Sequence, residues 1–270
     1  MGSSSNETGT ASPLVRCLGS KQSGPLARVG CAGWSLSSKD SDSFPSSGTH
    51  LERYAQVFSC VEINSSFYRS HQAKTYARWA ASVPATFRFS VKVPRTITHE
   101  CRLGGFEVLL DAFVEQVGFL GDKLGYLLIQ LPPSLNWDAA LAARFLNGVR
   151  ARILVPLALE ARHESWFCEE ADAVLSRAQV SRVHAHPTAI LKNVGNRAPD
   201  EEMPRYWRLH GAPKIYYSAY DDAFLADVAK RILLTLEEGA DAWCILDNTA
   251  AGEAILNALS LKRMVKGATN

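Results

Sequence analysis

Eight short apolar runs, beginning near residues 28, 60, 87, 124, 153, 180, 206 and 243, alternate with segments whose apolar residues recur at helical spacing. Those segments cover about 50–58, 74–82, 106–120, 138–149, 164–178, 222–238 and 250–264. Strict strand–helix alternation dictates parallel pairing through right-handed crossovers. Eight such units at this length predict a single α/β domain, a (β/α)8 TIM-type barrel. An open doubly wound sheet is the competing arrangement. It calls for a glycine-rich phosphate loop after the first strand, and the chain leaves its first run through Gly33-Trp34-Ser35 instead. One unit is irregular, because residues 187–203 contain Pro, Gly and Asn and no helical period. The barrel is assigned to residues 28–270, and residues 1–27, rich in Ser, Gly and Thr, read as a disordered N-terminal tail.

Charge and cysteine usage narrow the function. Lys plus Arg total 29 and Asp plus Glu 27, a net charge of +2. That balance disfavours a protein that binds nucleic acid by unspecific charge attraction. The six cysteines are scattered with no C-x-x-C pair, so neither a disulfide framework nor a structural zinc site is expected. With no continuous run of about 20 apolar residues, no membrane partner is expected, and a cytoplasmic location fits.

The stretch Val61 to Tyr68 carries the first chemical signal. Val61 and Ile63 share one face of a strand, while Glu62, Asn64 and Ser66 share the other. Polar groups on a buried strand must find partners. In a (β/α)8 barrel, the C-terminal ends of the strands build the active site. Polar residues stand at those ends: Trp34, Glu62, Asn64, Lys92, Gln130, Glu160, Arg162, His186, Arg208, His210, Asp247 and Asn248. We expect them to converge on one site. Glu62 also has a purely structural reading, as the ion-pair partner of Lys92 or Arg208. Glu160 and Arg162, two residues apart on one face, are expected to neutralise each other in part. Arg208 suits a carboxylate or phosphate, His210 suits proton transfer, and Trp34 suits stacking on a ring.

His184 and His186 have the one-face spacing of a metal-ligand pair on a strand. Glu160, His163, His210 and Asp247 are the residues that would complete such a site, for a divalent metal. A glycosidase pair of Glu62 and Glu160 is disfavoured, because strands two and five lie across the barrel from each other.

The segments GCAGWS, VEINSSFY, FRFSVKVPRTITHE, LLIQLPPS, LALEARHESWF, RLHG and DNTAAGEA together resemble the YecE-like family, also called domain of unknown function 72. The likeness runs from about Val29 to the C-terminus and implies a TIM barrel. It adds Tyr68, His99 and His163 to the site residues and supports Trp34, Glu62, Asn64, Lys92, Gln130, Glu160 and Arg162. It implies no established reaction. At the end of the sixth strand, where the family leads us to expect Asp, this chain has His186.

The leading expectation is an enzyme, hydrolase or lyase, using acid–base chemistry on a small anionic or phosphorylated substrate without an assigned cofactor. Glu62 or Glu160 is the expected base and His210 the acid, with Lys92, Arg162 and Arg208 holding the anion. The alternatives are a metal-dependent phosphoesterase acting on nucleic acid, and a ligand-binding protein without turnover.

Overall fold

The computed structural model describes residues 24–188 and 205–267. Most of the expected N-terminal tail, and most of the irregular stretch after the sixth strand, lie outside the described residues. Eight strands form one parallel sheet: β1 (Ala27–Cys31), β2 (Cys60–Ile63), β3 (Arg88–Lys92), β4 (Leu124–Gln130), β5 (Leu157–Glu160), β6 (Val180–His186), β7 (Tyr206–Leu209) and β8 (Ala242–Leu246). Helices α1 (His50–Val57), α2 (Ala73–Ala81), α3 (Glu107–Val117), α4 (Ala139–Arg150), α5 (Glu169–Arg177), α6 (Asp222–Glu237) and α7 (Glu253–Gly267) follow every strand except β6 among the described residues. The strand order β1-β8-β7-β6-β5-β4-β3-β2 brings the first two strands back together, giving a nearly closed (β/α)8 barrel.

The seam between β1 and β2 has no hydrogen-bonded ladder among the described residues. A side chain stitches it instead. Tyr54, on α1, is completely buried, and its hydroxyl accepts from the Cys31 N–H at 2.8 Å and faces the Cys60 carbonyl at 3.1 Å. One phenol thus satisfies backbone groups on both open edges. The strands approach closely at Gly30, where a Cβ atom would sit 2.3 Å from the Cys60 carbonyl oxygen. Only glycine fits there.

Two strand ends differ from the sequence reading, each for a local reason. β2 stops at Ile63 because Asn64 turns to helical dihedrals (φ −82°, ψ −22°) and opens a tight turn over Ser65–Phe67. Ser66 fixes that turn, its hydroxyl lying 2.8 Å from the Ile63 carbonyl and 2.6 Å from that of Lys92. β5 begins only at Leu157, since Pro156 has no N–H to give to a ladder.

Alternation along the strands sorts the core into two bodies. Outward residues such as Ile63, Phe89, Ile129, Leu159, Trp207 and Leu246 pack under the helices. The lower barrel interior is filled by Cys60, Tyr126, Leu128, Ala158, Val183, Tyr206, Trp243 and Ile245. Each buried aliphatic or aromatic side chain of this kind contributes about 1.5–3 kcal/mol. Above that plug the next inward positions are polar and equally buried: Glu62, Ser90, Lys92, Gln130, Glu160, Arg208 and Asp247. Among the described residues no helix is long and apolar enough to cross a membrane.

Candidate active site at the strand C-terminal ends

Arg208 stands at the centre of the polar layer. It is fully buried, and its guanidinium bonds three carboxylates from three other strands. Nε and Nη2 donate to the two oxygens of Glu62 at 3.0 and 2.8 Å. Nη1 donates to Glu160 Oε2 at 2.6 Å, and Nη2 also reaches Asp247 Oδ2 at 3.0 Å. Burial by itself opposes a charged guanidinium, but Glu62, Asp247 and Glu160 together hold it firmly protonated. Glu62 additionally lies 3.3 Å from the hydroxyl of Tyr206, which approaches Ser90 Oγ at 2.7 Å. Glu62 is therefore a partner of Arg208 rather than of Lys92. The expected role of Glu62 as base and of Arg208 as anion holder does not fit this geometry, since neither side chain presents any surface.

Glu160 is the hub of the upper side. It accepts from Arg162 Nε at 2.9 Å and from Gln130 Nε2 at 3.3 Å in addition to Arg208. Burial would push its carboxyl up, yet Arg208, His210 and Arg162 outweigh burial and hold it well below the usual carboxylate range. Asp247 behaves alike: burial raises it, and Arg208 with His210 brings it down. His210 lies between the two acids. Its Nδ1 is 3.0 Å from Asp247 Oδ2, which assigns the proton on that nitrogen as donated to Asp247. Its Nε2 is buried and faces Glu160 Oε1 at 3.3 Å, an ion pair when the imidazole is protonated. Burial works against a protonated imidazole here, but Asp247 and Glu160 raise its pKa above the ordinary value.

Lys92 sits across the barrel end and is 4% exposed. Its ammonium donates to Asn64 Oδ1 at 3.1 Å and lies 4.0 Å from the centre of the Phe67 ring. Burial, followed by the charge of Arg208, brings its pKa down to about 8, despite the opposing pull of Glu62, Asp247 and Glu160. His99 meets the edge of the same Phe67 ring at 4.9 Å and is 2.9 Å from Thr98 Oγ1. Burial and the charges of Lys92, Arg95 and Arg162 lower its pKa, leaving it neutral at pH 7. Arg162 keeps about a third of its side chain in solvent and reaches the Tyr216 hydroxyl at 3.5 Å.

The remaining expected residues divide. Tyr68 is mostly exposed, edge-on to Phe67 at the rim. Trp34 packs against Trp79 at 5.0 Å and belongs to the wall. His163 caps the turn Glu164–Trp166, its Nδ1 accepting from the Ser165 N–H. Asn248 spends its amide on the Ser218 carbonyl and on Asn257, tying two loops together away from the network. His184 and His186 lie outside the barrel: His184 Nε2 is 3.2 Å from Arg231 on α6, and His186 packs on Phe224 of the same helix. Their inward neighbours are Val183 and Ala185. The two histidines therefore do not join Glu160, His210 and Asp247, whose carboxylates already close on a guanidinium. Among the described residues no group of three or more His, Cys, Asp or Glu side chains is placed to hold a metal ion.

Sequence reasoning missed Phe67, Tyr206 and Tyr216. Tyr216 meets both Arg162 and His210, the latter ring to ring at 5.7 Å. It holds φ at +69°, a left-handed conformation that costs a non-glycine residue about 1–2 kcal/mol. The pair Tyr216-Tyr217 in the loop after a barrel strand was its only sequence signal.

Three comparisons with known proteins bear on this barrel. A family model described as "Protein of unknown function DUF72" matches residues 28–270. The chain belongs to the DUF72 family. Within it, the chain is 30% identical over 131 residues to the UPF0759 protein YecE of Escherichia coli (strain K12), covering 48% of this chain and 47% of that protein. It is 32% identical over 150 residues to the UPF0759 protein YunF of Bacillus subtilis (strain 168), covering 52% and 51%. The chain thus spans about half the length of the curated relatives it matches. A DUF72 crystal structure from Thermotoga maritima MSB8 superposes with a TM-score of 0.73 at 22% identity, over 89% of this chain and 99% of that one. Another, from Enterococcus faecalis V583, gives 0.71 at 23% identity over 89% and 96%. At such identities these structures establish the shared DUF72 fold.

Proposed function

We propose that this DUF72 barrel is an enzyme carrying out acid–base chemistry on a small carboxylate- or phosphate-bearing substrate at its C-terminal mouth. One observation carries the reading. Beside the network of Arg208 and three acids stand basic groups with bonding capacity to spare: Lys92, bonded to Asn64 alone among the described residues, and the half-open Arg162. A buried or half-buried cation with unused donors is suited to an anion, which would complete its hydrogen bonding. His210 supplies the proton, held between Asp247 and Glu160, which raise its pKa, with Asp247 setting its tautomer. Glu160 stabilises the charged imidazolium that forms. Arg208 and Glu62 position these groups without meeting substrate.

Proton NMR of the full chain with a mixture of sugar phosphates and short carboxylic acids tests the reading. Consumption of at least one compound is expected, with a loss of about a hundredfold or more in rate for His210→Asn. A mixture left unchanged by the wild-type chain, or turned over equally by the variant, sinks it.

A further inference from the structure

We propose that Lys92 is a covalent catalyst, its amine condensing with the carbonyl carbon of an aldehyde or ketone substrate that also carries an anionic group. This deepens the acid–base reading above and rests on it. The argument begins with the distribution of charge. Lysines in barrel interiors are rare, and those held for structure keep a carboxylate at hand. Glu62, Glu160 and Asp247 lie on strands around the same barrel end, yet all of them are turned onto Arg208. Their oxygens are hydrogen-bonded to the guanidinium, to Arg162 and to His210, and among the described residues none of them bonds Lys92 Nζ. Among the described residues, Lys92 is left with one amide oxygen at 3.1 Å and one ring face at 4.0 Å.

An ammonium so placed gives up its proton readily. With the pKa brought down to about 8 from 10.5, a far larger share of the molecules carries a neutral amine near neutral pH than for an ordinary lysine. A free amine pair inside a desolvated barrel end is a nucleophile. The Phe67 ring fixes its position, and the same ring fixes the neutral imidazole of His99. With Thr98 on Nδ1, the Nε2 of His99 is left for proton traffic. Arg162, about a third exposed and bonded through Nε to Glu160, keeps donors to hold the anionic group.

The step balances without an added oxidant or reductant. The Nζ lone pair forms the C–N bond, and the carbonyl π pair moves to oxygen, which takes a proton. That oxygen takes a second proton and leaves as water while nitrogen loses both of its protons, so amine plus carbonyl becomes imine plus water. The protonated imine then accepts the electron pair of an adjacent C–C or C–H bond, the chemistry of a lyase or isomerase.

Reductive trapping tests this. The full chain at pH 7.5 is treated with sodium cyanoborohydride and either dihydroxyacetone phosphate or uncharged dihydroxyacetone, and adducts are mapped by peptide mass spectrometry. Lys92 is expected to be labelled at least tenfold faster than the mean of the other lysines, and faster by the phosphorylated probe. Arg162→Ala is expected to remove that preference for phosphate, and Lys92→Arg to remove the adduct. A labelling rate for Lys92 that rises with a midpoint near pH 8 in formaldehyde methylation checks its reactivity in the unmodified chain. Uniform labelling of all lysines overturns the proposal. If His210-dependent turnover is found while Lys92 resists trapping by both probes, the imine falls and the acid–base reading stands.

Discussion

The two halves of the barrel interior are built from the same strands and obey opposite rules. In the lower half, Tyr126, Tyr206 and Trp243 sit with ring centres 5.1–6.2 Å apart among Leu128, Ala158 and Ile245. Packing there is mostly apolar, and every buried carbon adds stability. In the upper half, two positions further along the same strands, the side chains are ionic and equally dry. Such a layer is no gain over an apolar one, because desolvating charges offsets most of their attraction. A barrel that only had to be stable would continue the lower half upward. Tyr206 joins the two, with its ring in the plug and its hydroxyl beside Glu62 and Ser90.

The sharpest way to break this contrast is to damage each half once. Arg208→Met leaves three buried carboxylates facing one another and is expected to cost about 3–5 kcal/mol at pH 7. Leu128→Ala in the plug costs about 2–5 kcal/mol through a cavity. Acid separates them. In the intact chain Glu160 and Asp247 titrate below 4.5 and 3.8, so their stabilisation is present above those values and fades as pH falls through the depressed ones. Without Arg208 the carboxylates gain from protonation, so urea unfolding at pH 5 should show a smaller penalty for Arg208→Met and an unchanged one for Leu128→Ala. Equal pH dependence would remove the distinction.

Lys92→Met extends apolar packing into the upper half, and here stability should rise. A folded pKa of about 8 below an unfolded 10.5 means that charging this lysine opposes folding below pH 8, and that the penalty is relieved as pH climbs towards 10.5. The variant is expected to be more stable by up to about 3 kcal/mol at pH 7, the difference vanishing above pH 10. Chemical unfolding across that range decides it, and a variant less stable than the wild type at pH 7 would show Lys92 to be a structural cation.

The smallest effect concerns the seam that both halves share. Tyr54→Phe deprives the Cys31 N–H and the Cys60 carbonyl of their common partner, for a loss of about 1–2 kcal/mol. Faster hydrogen exchange at the Cys31 amide than at the laddered amides of β4 is the accompanying signature.

Much of this was legible in the chain. Alternating apolar runs fixed the barrel, since only strands feeding helices bury both faces of a parallel sheet. Period-two spacing put Glu160 with Arg162 and Arg208 with His210, and both pairs share a face as expected. The same spacing failed for His184 and His186, because a strand of alternating residues reads equally well turned either way. Pairing in register with β7, which sets Ala185 against Arg208, decides that the alanine faces in. Residues 1–23 and 189–204, where a tail and an irregular crossover are expected, lie outside the described residues.

Amino-acid order alone determined which residues could meet, by assigning each polar side chain to a strand, a face and an end. It did not determine the pairing. Glu62 had Lys92 and Arg208 within equal reach on paper, and closing the barrel brought Arg208, 146 positions away, to 2.8 Å. That choice belongs to three dimensions, because a planar guanidinium offers five donors in a fixed fork to several carboxylates at once, where an ammonium offers three without that geometry. From it follows the proposed chemistry: the arginine gathers the acids, and among the described residues the lysine is left without a bonded carboxylate.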